Sequence, residues 1–333
     1  MRALTMLSVA LALAACDAPR FVPADAGRRV VGALPPPRPE VADVVDAPPV
    51  TLALRDVVIR NDGTRGWDLD ARCTEPPEWD AECAPTNARG EHVRDLAGCR
   101  DDAFATQLAA AFAPLGGTLE SALSASMALG VGALLVRITG WSGEPDDPSV
   151  EVELAPAVFG VPPGGARGDP LGWIGEDVFA PLDASVGADG RAVLRDPSAY
   201  VARGVLVARF ESDPVIPLHG GDRSLTLRLT ELLVTAVLAP ETPFAFTLSG
   251  RWRVADLIAE LDAAGPCRGD PLRTAAEIRA RDAADVRARS RGGEGTGAAC
   301  GALSVTLGLT AFGGAWGEPA PADGPAPARC PAP

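Results

Sequence analysis

Between Val131 and Gly250 the chain alternates apolar and polar residues in short bursts, at Ala133 to Thr139, Val150 to Val158, Gly204 to Phe210, Leu225 to Arg228, Leu232 to Leu238 and Phe244 to Arg253. A period of two sends successive side chains to opposite faces, so each burst reads as a strand with one dry and one wet face. Turn-forming clusters separate the bursts: Gly143-Glu-Pro-Asp-Asp-Pro148, Pro162-Pro-Gly-Gly165, Asp189-Gly190 and Gly220-Gly-Asp222. Thr51 to Arg60 adds an earlier strand, and Leu303 to Phe312 a final one expected to pair back into the sheet. This punctuation predicts a mainly β fold, an antiparallel β-sandwich or jelly roll with a few peripheral helices. Phe104, Leu108, Ala111, Phe112 and Leu115 recur at helical spacing and predict a helix over 100–114. Further helices are expected over 119–128, over 254–263, and from Asp270 as N-cap with Pro271 at the first helical position to about Ser290. Glu120 is the one charge between Asp102 and Arg137. The uncharged stretches on either side of it fall short of the roughly 20 residues a membrane helix needs, so they read as core.

The N-terminus sets where such a fold operates. Arg2 is followed by an uncharged run from Ala3 to Ala15, closed by Leu13-Ala14-Ala15-Cys16. That is the layout of a secretory signal, and it is too short to span a bilayer. Leu13-Ala14-Ala15-Cys16 resembles the lipobox of bacterial lipoprotein precursors at all four positions. The resemblance implies cleavage before Cys16 and acylation of Cys16, with enough acyl chains for stable anchoring. It places the protein in the cell envelope, extracytoplasmic and held by lipid. Asp17 weighs towards the inner membrane, against an outer membrane otherwise slightly favoured. Residues 16–49, which include Pro35-Pro36-Pro37, read as a semi-rigid tether reaching roughly 100 Å when extended. The expected domain covers 50–316, and residues 317–333 form a Pro-rich tail.

The net charge is −14 and every basic residue is Arg. An acidic bulk surface excludes nucleic acid as a partner. The absence of Lys excludes Schiff-base chemistry, a P-loop and a Ser-Lys dyad. Setting Cys16 aside leaves Cys73, Cys83, Cys99, Cys267, Cys300 and Cys330, an even set that argues for three disulfides in an exported chain. The favoured pairing is Cys267 with Cys300 across the helical excursion between them. A Cys73–Cys83 link is the weaker expectation, with Cys330 then tied to Cys99. No Cys-x-x-Cys occurs, which disfavours zinc ribbons and thioredoxin-like motifs.

Candidate chemistry is sparse. His92 and His219 are the two histidines, and His219-Gly220-Gly221-Asp222 lacks the Gly-x-Ser-x-Gly partner of a hydrolase. No nucleophile-base constellation emerges and no catalytic residue is assigned. Glu151 and Glu153 alternate with Val150, Val152 and Leu154, so they share one face of a strand, where paired carboxylates could hydrolyse polysaccharide. Asn61, Asp62, Asp68 and Asp70, and the loop residues Asp146, Asp147, Asp177, Asp183 and Asp189, offer oxygens of the kind a structural calcium takes, without EF-hand spacing. Trp141 and Trp173 lie beside polar or Gly-rich turns, where an indole could stack on a sugar. The arginines from Arg268 to Arg291 could form a patch for anionic envelope polymers, although i, i+4 acids favour a salt-bridged helix. Gly66-Trp-Asp-Leu-Asp70 with Cys73, Gly98-Cys99-Arg-Asp-Asp-Ala103 and Trp173-Ile-Gly-Glu-Asp177 are similar to a group of uncharacterised exported lipoproteins of GC-rich Gram-negative bacteria. Those proteins carry an extra cysteine after the first, near the place where this chain has Glu75. The expected function is therefore a lipid-anchored binding or scaffolding ectodomain that recognises glycan or another envelope protein. A carboxylate-based polysaccharide hydrolase and a purely structural surface protein are the alternatives.

Overall fold

The computed structural model describes residues 32–40, 47–75, 80–109, 119–220, 223–239, 243–264, 267–290 and 297–322. Eight strands pair in chain order: β1 (Val50–Val58), β2 (Leu134–Thr139), β3 (Asp147–Val161), β5 (Leu194–Ala202), β6 (Val205–Phe210), β8 (Arg223–Val237), β9 (Phe244–Arg253) and β10 (Ala302–Gly313). Each is antiparallel to the next, and β10 returns to pair with β1, from Leu52 opposite Gly313 to Val58 opposite Gly308. The result is a closed up-and-down β-barrel. β4 (Val178–Pro181) extends β3 and receives the short parallel β11 (Ala315–Trp316), while β7 (Val215–Gly220) forms a hairpin with the first half of β8.

The expected sandwich or jelly roll is thus corrected to a barrel. Alternating strands serve all three architectures equally well. What separates them is whether β3 finds β5 and β1 finds β10, pairings made between distant residues. Two expected strands, 225–228 and 232–238, are one strand bent by a bulge, where Glu231 adopts a φ of 53° and the register with β9 shifts between Thr230 and Leu233. Inward residues of all eight strands, among them Leu54, Val136, Val152, Leu206, Val234, Phe246 and Leu307, meet in one continuous apolar cluster. Leu123 and Met127 of α1 (Leu119–Ala128) and Leu257 of α2 (Val254–Ala264) join it. Of the helix expected over 100–114, the described part is a π-helical turn, Phe104–Ala109, whose Phe104 packs against Trp252 at 5.8 Å; residues 110–114 lie outside the described residues. The Arg-rich helix does open with Asp270 accepting from the Leu272 amide, but α3 spans Pro271–Asp282 and stops short of Ser290. Residues 285–286 instead pair with Ala302 at the start of β10. No helix among the described residues is long and apolar enough to cross a membrane.

The expected tether is partly domain. Ala33 donates to the Gly98 carbonyl at 2.9 Å and accepts from the Asp68 amide at 2.9 Å, so residues 32–40 belong to the folded unit.

The disulfides differ from the favoured pairings. Cys73 is bonded to Cys99, and Cys83 to Cys300. Cys267 is also disulfide-bonded, so it is not the partner of Cys300; Cys330, like Cys16, lies outside the described residues. Proximity along the chain misled because residues 66–75 and 80–99 wrap the outside of the barrel, bringing Cys83 beside the strand that begins at Ala302. The Cys83–Cys300 bond spans 217 residues and Cys73–Cys99 spans 26. In the chain-entropy account these spans correspond to about 5 and about 3.5 kcal/mol. The double variant Cys83→Ala/Cys300→Ala is therefore expected to lose more stability than Cys73→Ala/Cys99→Ala in denaturant unfolding. The reverse order would contradict this ranking.

Candidate functional site

The outward faces of β8, β9 and β10 carry Thr230, Thr235, Ser249, Arg251, Ser304 and Thr306, all buried. Polar residues are tolerated there because the segments 61–75, 80–102 and 283–290 lie over them and complete their hydrogen bonds. Trp67 donates its indole N–H to Thr235 at 3.1 Å, and Thr230 donates to the Ala288 carbonyl at 2.6 Å. β1 ends at Val58 opposite Gly308, which leaves the β10 amides at Ser304 and Thr306 without a strand partner. Two carboxylates take that place: Asp285 accepts from the Ser304 amide at 2.8 Å, and Asp102 from the Thr306 amide at 3.3 Å. Asp101 accepts from the Leu69 amide at 2.6 Å, Asp68 from Arg72 at 3.2 Å, and Asp95 from Thr74 at 2.7 Å. Asp70 accepts from the Arg72 amide at 2.8 Å.

Arg251, 1% exposed, is the counterweight. It pairs with Glu82 at 2.6 Å and Glu231 at 3.1 Å, and donates to the carbonyls of Leu69 at 2.6 Å and Arg287 at 3.1 Å. One cation does not balance so many buried acids. Burial, reinforced by neighbouring carboxylates, pushes Asp70 up to about 8 and raises Asp101 well above the usual range. Burial likewise takes Asp285 up to about 7 and Asp102 to about 6, against their hydrogen bonds from Ser304 and Asn61. The layer therefore holds protons at neutral pH.

The calcium expectation meets this layer at one point. Oxygens of Asp68, Asp70 and Asp101 lie within 4.8 Å of one another. Three carboxylates, each already accepting a backbone N–H, fall short of the six to eight oxygens calcium takes. Asn61 and Asp62 turn away, to Asp102 at 2.8 Å and Thr64 at 2.6 Å. Asp147 and Asp189 receive local backbone N–H groups, as turn residues do, and Asp146 accepts from the distant Arg203 amide at 2.8 Å.

Glu151 and Glu153 do lie on the outer face of β3, yet neither is open to substrate. Glu153 is 1% exposed and ion-paired with Arg137 and Arg191, and Glu151 is paired with Arg191. Burial disfavours the Glu153 charge, but the bond and charge of Arg137 prevail and hold it below the usual range. Trp141 packs against the core and donates to the Glu144 carbonyl at 3.0 Å. Trp173 sits between Phe179 and Phe312, at 5.3 and 5.6 Å, with Arg55 over its ring at 5.3 Å. Both indoles are built into the protein. Trp173 holds a φ of 55°, in a region L-residues avoid. The wholly buried Asp177 accepts from its amide at 2.6 Å and keeps it there. Beside it, Ile174 is 75% exposed, and Leu129, next to the Ala128 carbonyl that takes the Trp173 indole N–H, is 70% exposed.

His92 lines an open cleft of about 430 Å³ with Gly90, Glu91 and Arg94, and His219 lies on β7 opposite Ser224. The basic patch is largely neutralised: Arg268 pairs with Asp262, Arg273 with Asp262 and Glu277, Arg281 with Glu277, and Arg289 with Asp213. Sequence reasoning missed Asp101, Asp102, Asp285 and Arg251. A signal existed in Thr247, Ser249 and Arg251 on one strand face and Ser304 and Thr306 on another, a face too polar for core and too small for solvent. Comparison with protein-family models, with curated proteins and with solved structures finds no match for the chain.

Carboxyls whose native pKa lies above the unfolded value of about 4 stabilise most below that value, and the gain is lost as pH rises through the native pKa. The window of loss here runs from the unfolded value of about 4 up to the native values of Asp102, Asp285 and Asp70, about 6, about 7 and about 8. Glu153, held low, acts oppositely and costs stability only as pH falls through the acid range. Thermal unfolding is thus expected to show its maximum near the unfolded carboxyl value of about 4 and a Tm that falls from there to about pH 8 and then levels off. Asp70→Asn should flatten the alkaline part of that curve; a Tm that rises across the window would contradict the assignment. Separately, Arg251→Leu leaves Glu82 buried without its cation, at a cost of about 3–5 kcal/mol by denaturant titration.

Proposed function

We propose that the chain is a lipid-anchored, extracytoplasmic protein of the cell envelope whose disulfide-stapled barrel binds or scaffolds a partner there. The observation that carries this reading is Leu13-Ala14-Ala15-Cys16 at the close of an apolar leader. The Cys73–Cys99 and Cys83–Cys300 bonds support it, because disulfides persist in oxidising compartments. The polarity of the barrel supports attachment through lipid. Its inward face is apolar and its outward face carries Arg137, Glu151, Arg195 and Arg209, the reverse of a barrel that spans a bilayer.

In this reading the binding face is the loop 171–177. A strained Trp173, pinned by Asp177 and by two phenylalanine rings, displays Ile174 to solvent beside the exposed Leu129. Exposed aliphatics backed by a fixed ring suit a protein surface. The engagement of both Trp141 and Trp173 favours an envelope protein over a glycan as the partner.

Cys16→Ser is expected to move the protein from the membrane to the soluble envelope fraction; unchanged fractionation would overturn the anchor. Ile174→Asp should abolish site-specific cross-linking of the anchored protein through a photoreactive group at Leu129. Persistence of the same cross-linked species would remove the loop from the binding face.

A further inference from the structure

Gly32 and Pro36 are buried and Ala33, Pro35 and Pro39 half-buried, while Leu34, Pro37, Arg38 and Glu40 are exposed, so residues 32–40 lie along a surface. Their four prolines, Pro35, Pro36, Pro37 and Pro39, favour the extended left-handed proline helix. The surface is the outside of β3 and β5. There Tyr200, the sole tyrosine of the chain, donates its hydroxyl to the Pro36 carbonyl at 2.7 Å. Arg38 lies over the Tyr200 ring at 5.0 Å and donates to the Pro148 carbonyl at 3.0 Å and to the Ser198 carbonyl. Those two carbonyls fall where the β3–β5 register shifts, between the pairs Asp147–Val201, Val150–Ala199 and Val152–Asp196. Bulges free backbone groups from the ladder, and a planar guanidinium can satisfy two at once. At the other end, Gly32 is buried so tightly that a Cβ there would collide with the Asp68 carboxylate.

An aromatic hydroxyl, a ring face and two free carbonyls match the chemistry by which proline helices are recognised between proteins: an aromatic platform for the prolines and polar contacts at fixed spacing. Such a ligand loses little entropy on docking, because it is already extended in solution. We propose that the β3–β5 face around Tyr200 is a recognition site for an arginine-bearing proline helix, occupied in cis by residues 33–39 of this chain. Its occupancy then sets how far the barrel stands from the membrane, a consequence that rests on the anchor at Cys16. With the helix docked, Cys16 and Gly32 can stand at most roughly 50 Å apart at about 3.1 Å per residue. With the helix released, the tether runs to β1 and reaches roughly 100 Å.

The test uses the full-length Cys16→Ser chain, so that it does not depend on lipid, with and without Pro35→Gly/Pro36→Gly/Pro37→Gly. These substitutions lie outside the barrel and leave every charge in place. Burial raises the Tyr200 hydroxyl above the usual tyrosine range, although Arg209 and Arg38 favour the phenolate, so ionisation of the single tyrosine reports docking. In the triple-glycine variant, absorbance titration should show Tyr200 ionising at lower pH. A synthetic peptide of residues 32–40 should bind that variant saturably and move the titration back. The same peptide should bind the parent chain about tenfold or more weakly, because the tethered copy competes at high effective concentration. A peptide with Pro36→Gly should not bind the variant. An unchanged Tyr200 titration in the variant, or equal peptide affinity for both chains, would overturn the site. If the peptide results hold while the wild-type cysteine proves dispensable for membrane fractionation, the recognition site stands and the anchor reading falls.

Discussion

β1 is shorter than the strand it closes against. β10 continues from Gly308 back to Ala302 past the end of its pairing with β1, with no strand on that side among the described residues, and an edge whose amides are buried must be completed by something. The chain completes it with three different groups in succession: the Val286 carbonyl at Ala302, the Asp285 carboxylate at Ser304 and the Asp102 carboxylate at Thr306. Placing two carboxylates at the seam of a barrel has consequences beyond the seam. They lie under protein, so they keep their protons to higher pH than free acids. The segments that bring them, 61–75, 80–102 and 283–290, are held over the barrel wall as a second layer. Much of the cysteine-bearing region exists to finish a sheet edge.

That second layer has little apolar surface with which to hold itself down. Its adhesion comes from Arg251, which reaches out of β9 to Glu82, Leu69 and Arg287, from the bonds of Trp67, Asp102 and Asp285 to the wall, and from the Cys83–Cys300 disulfide, while Cys73–Cys99 braces the layer itself. The Cys83–Cys300 bond ties the layer to the start of β10, close to the seam itself. Buried ion pairs gain little net free energy over apolar packing, but they penalise any arrangement that leaves one partner alone. A layer fixed by Arg251 therefore has one register. The same logic operates on the opposite wall, where Arg137 and Arg191 hold Glu153 and close the strand face that alternation alone would leave open to a substrate.

Strain and extended segments supply what regular structure does not. Trp173 is held in the left-handed region by Asp177, and residues 33–39 lie as an extended ligand against Tyr200. In both places a side chain that sequence patterning would assign to solvent or to a ligand is instead engaged by the protein. The two indoles expected to meet sugar are packed, and part of the proline-rich stretch expected to be spacer is docked.

The sequence by itself determined the strand content, the helices at 119–128 and 254–263 and the cap at Asp270, because each depends on neighbours within a few residues. It also showed paired acids on one face of β3 and a cluster of acids before Cys73. It did not contain, in any local form, the choice of barrel over sandwich, the partners of Cys83 and Cys99, or the gathering of Asp68, Asp70 and Asp101. Those depend on contacts between residues from 26 to more than two hundred positions apart. Alternation says which face of a strand is dry but not what it is dry against. Only the tertiary structure decided that β10 would meet β1 and overhang it, and the overhang decided where the acids went.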